Sequence, residues 1–205
     1  MYILTLSGKV CIKMKYKLCD LQEDVKKELK SKRYNHSLGV MYTAQALAMR
    51  YDISIEDAGI AGILHDFAKE LKDDELIRYC KKNDIKISED EKRMPYLLHG
   101  RVGAHLAKEK YDINDDIHDA IVYHTTGKPD MTTLGKIIYI ADFIEPGRKM
   151  LNILPEIRHM AFLDLDKTCA LILKYTIEYI TGKDEKGLDA NSQLAFEFYK
   201  KYLED

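Results

Sequence analysis

His65 and Asp66 form a doublet that can offer a nitrogen and a carboxylate oxygen to a metal ion, and the ammonium of Lys69 follows one helical turn later on the same side. Ile60, Ile63, Leu64, Phe67, Ala68 and Leu71 recur at the spacing of one helical face, so the doublet is expected inside a helix that buries that face. Gly59, Ala61 and Gly62 in the preceding turns leave room for another helix to approach the side carrying His65 and Asp66. Charges gathered where an interior begins are costly unless something pairs with them. A metal ion and an anionic substrate would do so. For the doublet alone, a surface His-Asp pair with a solvated lysine is the plainer alternative.

Further groups of the same chemistry lie on other segments. His36 falls on a stripe of Val40, Ala44, Leu47, Ala48 and Tyr51. His99 shares a face with Val102, Gly103 and Leu106, and His124 continues the run Ile117, Ala120, Ile121. Asp142 is the one carboxylate in Ile137–Ile144, a segment that is otherwise apolar all round and must therefore be central and buried. Burial explains the isoleucines but not the aspartate, which needs a cationic partner. His105 sits closer to Arg101 and Lys108, His118 is turned away from its stripe, and His159 reads as solvated. These three are set aside.

His36, His65, Asp66, His99, His124 and Asp142 amount to four imidazoles and two carboxylates without a thiolate. Such a set suits iron, manganese or a similar six-coordinate ion better than structural zinc. If Asp66 bridged two ions about 3.5–4 Å apart, a metal-bound hydroxide could attack phosphorus while Lys69 and the metals neutralise the developing charge. The chemistry expected is hydrolysis of a phosphoester or phosphoanhydride.

One helical bundle must bring these groups together. Four prolines and eleven glycines punctuate 205 residues, two-residue alternation is almost absent after residue 13, and the chain reads as all-α with one domain at residues 19–205. Residues 1–18 read as an N-terminal extension, either outside the domain or, for the first thirteen, a product of start-site choice. Ser54 is expected to cap the helix of the doublet. Residues 155–180 form one long helix or two short ones, and Asp189 or Asn191 caps a last helix with Leu194, Phe198 and Leu203 inside. A net charge of −2 with 32% charged residues gives no nucleic-acid footprint, so the partner is expected to be a small molecule. The broken apolar run at the N-terminus suits neither a signal peptide nor a membrane span. Cys11, Cys19, Cys80 and Cys169 have no paired spacing, which fits a reducing cytoplasm.

The order H, HD, H, H, D resembles the HD superfamily of metal-dependent phosphohydrolases. Tyr34-Asn35-His36-Ser37-Leu38-Gly39-Val40, Tyr123-His124-Thr125-Thr126-Gly127 and Ala141-Asp142-Phe143-Ile144-Glu145-Pro146-Gly147-Arg148 are similar to strings of one branch. That branch is the YqeK group, the bacterial symmetrical bis(5'-nucleosyl)-tetraphosphatases. The resemblance implies an HD helical bundle with iron, as one or two ions, held in its core by His36, His65, Asp66 and Asp142. His99 and His124 would complete a second metal site, or contact phosphate when one ion is bound. Lys69 and Arg148 would hold the polyphosphate, with Arg33 or Thr125 assisting. The implied reaction is cleavage of diadenosine tetraphosphate to two ADP. A nucleoside mono- or diphosphate substrate and a non-catalytic nucleotide-binding module are the alternatives, and a homodimer is compatible with either. Residues 183–191 depart from the pattern of the group, which puts contacts to the nucleoside there in doubt.

Overall fold

The computed structural model describes residues 17–182 and 187–204, so most of the expected extension, and part of the 183–191 loop, lie outside the described residues. Among the described residues the regular structure is helical and no strand occurs. The helices are α1 (Leu18–Glu28), α2 (Ser31–Arg50), α3 (Ile55–Leu64), α4 (Asp73–Lys82), α5 (Glu89–Arg93), α6 (Leu98–Tyr111), α7 (Asp115–Tyr123), α8 (Thr133–Ile144), α9 (Leu154–Met160), α10 (Leu165–Thr181) and α11 (Ala190–Tyr199). No helix is long and apolar enough to cross a membrane.

The helix starts follow from their capping residues. Ser54, Asn114, Thr132, Asp164 and Asp189 each accept a backbone N–H from the first turn that follows, which satisfies a donor the helix cannot pair internally. Asp189, not Asn191, therefore caps the last helix. The segment after Pro155 divides into two helices, α9 and α10.

α3 and α8 lie at the centre. Every residue of α3 from Ala58 to Leu64 is buried, and so are Ile137, Ile138, Tyr139, Ile140, Ala141 and Ile144 of α8. α2 packs closely along α3, and Gly62 makes this possible: a Cβ there would stand 2.7 Å from the Met41 Cα. An alanine would gain about 0.5–1 kcal/mol of helix propensity, yet forcing the two backbones apart costs about 1–3 kcal/mol. Gly62→Ala should therefore lower stability in urea unfolding, and it should weaken metal binding, because α2 carries His36 and α3 leads into His65 and Asp66. Unchanged unfolding and metal titration curves would contradict this account of the packing.

Two expectations are corrected. α3 ends at Leu64, so the doublet lies just beyond its C-terminus, in tightened turns where Phe67 donates to Leu64 O and Lys69 to Asp66 O. Leu71 is consequently 37% exposed, outside the buried face proposed for it. In α11 the inner face is Ser192, Ala195 and Tyr199, while Leu194 is 56% exposed. Tyr199, 1% exposed, sets the phase there together with the small Ala195 and Ser192, and Leu194 falls off that face.

Candidate metal centre

Three histidines at or near helix ends use one local device. The last carbonyls of a helix lack a full set of intrahelical donors. His65, directly after α3, places Nδ1 2.8 Å from Gly62 O, and His124, directly after α7, places Nδ1 2.7 Å from Ile121 O. His99, in the first turn of α6, places Nδ1 2.6 Å from Tyr96 O. A carbonyl only accepts, so Nδ1 carries a proton in each ring and Nε2 is the atom left facing the cluster. His36 reaches the same state differently. Its Nδ1 lies 3.0 Å from Oε1 of the buried Glu145, which accepts that proton.

All four Nε2 atoms converge on two carboxylates. His36 Nε2 is 2.9 Å from Asp142 Oδ1, and His65 Nε2 is 3.3 Å from Asp66 Oδ2 and 3.8 Å from Asp142 Oδ1. Asp66 Oδ1 lies 3.3 Å from His99 Nε2 and 3.6 Å from His124 Nε2. The rings follow one another edge to face in the order His36, His65, His124, His99, with centroids 5.3, 5.0 and 4.9 Å apart. Two groups have the spacing to hold a metal ion, His36 with His65 and Asp66, and Asp66 with His99 and His124. Asp66 belongs to both, and Asp142 stands beside the first.

The donor set fits a divalent cation. His36 Nε2, His65 Nε2 and Asp66 Oδ1 are buried with no hydrogen-bond partner among the described residues, and such groups are costly unless compensated. The Nε2 atoms of His99 and His124 face each other at 3.1 Å with both Nδ1 protons committed elsewhere, an arrangement that a cation between the lone pairs relieves. α3, α7 and α8 also direct their C-terminal, partially negative ends at the cluster.

Electrostatics keep the carboxylates ionised. Burial opposes the charge on Asp66, but His65 and the contacts from His124 and His99 outweigh it, holding the carboxyl well below the usual range. Asp142 is likewise lowered against its burial, by His36 first and then by Arg148. Burial pushes His99 down to about 4, with Lys69 and His124 adding to the effect and Asp66 opposing it, so its ring is neutral at pH 7. Burial also lowers Lys69, against the pull of Asp66.

The groups assigned to phosphate surround this cluster. Lys69 Nζ is 3.1 Å from His99 Nε2 and 3.8 Å from Asp66 Oδ1, and Thr125 Oγ1 is 3.0 Å from His124 Nε2. Arg33 Nη1 donates to Asp66 Oδ2 at 2.8 Å. Arg148 folds back on α8, with Nε donating to Asp142 O and Nη2 to Asp142 Oδ1. The three histidines set aside lie elsewhere: His105 bonds Tyr79, His118 is half-buried near Lys108, and His159 is exposed. Alanine at each of the three should leave turnover near wild type, while His99→Ala and His124→Ala should lose most of it. A folded but inactive His105→Ala protein would contradict this division.

Glu145 is the residue that helical periodicity passed over. Its second oxygen accepts the Gly147 N–H, its carbonyl accepts Arg158 Nη2, and a Cβ at Gly39 would run into Oε2. The carboxylate is thus fixed behind the His36 ring. The local signal was the Glu-Pro-Gly string, which by itself reads as a helix end.

An all-α bundle with inward-facing histidines and aspartates in the order H, HD, H, H, D, of which His36 and Asp142 are partly exposed, defines an HD-type metal-dependent phosphohydrolase. The chain belongs to the HD domain family, whose pattern it matches over residues 33–147. Within that family it groups with the symmetrical bis(5'-nucleosyl)-tetraphosphatases. It is 38% identical over 162 residues to the symmetrical bis(5'-nucleosyl)-tetraphosphatase of Bacillus subtilis (strain 168), covering 78% of this chain and 86% of that protein. To the enzyme of the same description from Staphylococcus aureus (strain NCTC 8325 / PS 47) it is 42% identical over 168 residues, covering 78% and 82%. It also resembles the crystal structure of an HD superfamily hydrolase from Clostridium acetobutylicum, described as involved in NAD metabolism. That likeness has a TM-score of 0.85 at 39% identity and covers 91% of this chain and 98% of that one.

Proposed function

We propose that the chain hydrolyses diadenosine tetraphosphate symmetrically. Water adds to one of the two central phosphorus atoms, the bridging P–O bond between them breaks, and two ADP molecules leave with the water oxygen in one of them. The observation that carries this reading is the convergence of four Nε2 atoms on Asp66 and Asp142, in a chain whose relatives are described as symmetrical tetraphosphatases.

His36, His65, Asp66 and Asp142 would hold one metal ion, and Asp66 with His99 and His124 a second; the donors suit iron, manganese or a similar divalent ion, and the family resemblance points to iron. A divalent cation there supplies Lewis acidity, stabilising charge on phosphoryl oxygens and acidifying water. The chain's own residues do the remainder. Lys69 places its ammonium beside the Asp66–His99 contact, where it faces charge that develops on the phosphorus. Thr125 offers a hydroxyl at the other edge. Arg33 and Arg148 each keep guanidinium N–H groups beyond those engaged by Asp66 and Asp142, and these can grip the polyphosphate. A merely nucleotide-binding role gives no reason for so complete a donor set.

The test is anaerobic purification with metal analysis, followed by turnover of a panel of dinucleoside polyphosphates and mononucleotides. The expected result is a divalent metal in the protein, turnover of the tetraphosphate, and its loss on chelation. Turnover confined to mononucleotides would overturn the substrate assignment.

A further inference from the structure

Beside the His36 end of the cluster lies a groove of about 760 Å³, within the range of small-molecule sites. Its wall carries five cations, Lys30, Lys32, Arg33, Arg148 and Lys149, together with the edge of His36. Of the two carboxylates that line it, Glu145 is committed to His36 and Gly147, and Glu70 is paired with Lys30 at 2.8 Å. Lys32 and Lys149 have no ion pair among the described residues, so the groove keeps a surplus of positive charge. Nothing in the catalytic cluster requires these two lysines.

We propose that this groove is the subsite for one nucleoside diphosphate half of the dinucleotide, with Lys32 and Lys149 as its specificity-determining cations. The inference rests on the symmetrical reading. A substrate cut at its centre has two equal halves, one on each side of the reacting phosphorus, and each half is a polyanion. Arg33 and Arg148 link the groove to the cluster, since each touches one of the two central aspartates and also lines the groove. At the far end of the row of rings, a second cavity bordered by Thr125, Thr126, Val122 and Asp189 measures about 120 Å³, so the groove is the roomier of the two. A phosphate chain running from the cluster past Arg33 and Arg148 comes within the field of Lys32 and Lys149.

The experiment compares metal-loaded wild type with the double variant Lys32→Glu/Lys149→Glu. A control, Lys81→Glu/Lys82→Glu on α4, has the same change in net charge. Equilibrium dialysis with ADP should count two bound ADP per wild-type chain and per control chain, and one per groove variant. The KM for diadenosine tetraphosphate should rise roughly tenfold in the groove variant alone, with kcat and metal content close to wild type. A single ADP on the wild type, two on the groove variant with unchanged KM, or an equal rise of KM in the control would each overturn the subsite. Should the wild type turn over no tetraphosphate, it is the activity assignment that fails, and the subsite is judged on the ADP count alone.

Discussion

Asp66→Ala should empty the metal centre and reduce turnover by roughly a thousandfold or more, the loss expected when several kcal/mol of charge stabilisation disappears. Asp66 is the carboxylate common to both groups of ligands, with Oδ1 toward His99 and His124 and Oδ2 toward His65. Its removal also leaves Arg33 without its carboxylate partner, beside the imidazoles of the cluster. Because a metal that binds the folded state alone stabilises it by mass action, the wild type should melt at a higher temperature loaded than chelated. In the variant that difference should vanish. Asp66→Asn separates charge from shape: it preserves the side-chain volume and should lose the metal as well. Asp142→Ala should behave alike for the first ion, since Asp142 Oδ1 is within 3.8 Å of both His36 and His65 Nε2. Full metal occupancy in these variants would remove the aspartates from the ligand set.

Glu145→Ala should weaken metal binding by about 10- to 100-fold, the usual effect of losing a group that orients a ligating histidine. The carboxylate lies behind the ring, 3.0 Å from His36 Nδ1, and is 3% exposed. Without it the Nδ1 proton has no acceptor and nothing fixes which nitrogen points to the cluster. Leaving those buried groups unmet should also cost about 1–3 kcal/mol in urea unfolding. Glu145→Gln retains an amide oxygen that can accept from Nδ1, and it should recover most of the metal affinity. Metal titration of the purified proteins distinguishes the roles: affinity unchanged in both variants would leave Glu145 as a packing residue only.

The metal-centre candidates were legible because burial and polarity disagree at them. Asp142 stands out in an apolar helix, and His36 and His124 interrupt apolar stripes, so helical phase pointed all three inward. The phase of His65 and His124 survived although both residues follow their helices, because each keeps right-handed helical backbone angles at the helix end. Further than one or two residues beyond the end it failed, as Leu71 shows. Glu145 was not legible, since its role comes from His36 and Gly39 on α2, far away in sequence, and no local period encodes such a contact. Arg148 was found as a cation near the site, but its return to Asp142 depends on the turn at Pro146 and Gly147. In α11, Leu194 misled because the buried face is the one that carries Tyr199 with Ala195 and Ser192, and Leu194 falls outside it.

Symmetrical, metal-dependent cleavage is tested most directly by hydrolysis of diadenosine tetraphosphate in oxygen-18 water with the metal-loaded protein. The products are separated and weighed by mass spectrometry. The expected result is ADP as the sole nucleotide product, with one labelled oxygen for each tetraphosphate consumed. Equal amounts of ATP and AMP would mean asymmetric attack and would contradict the account.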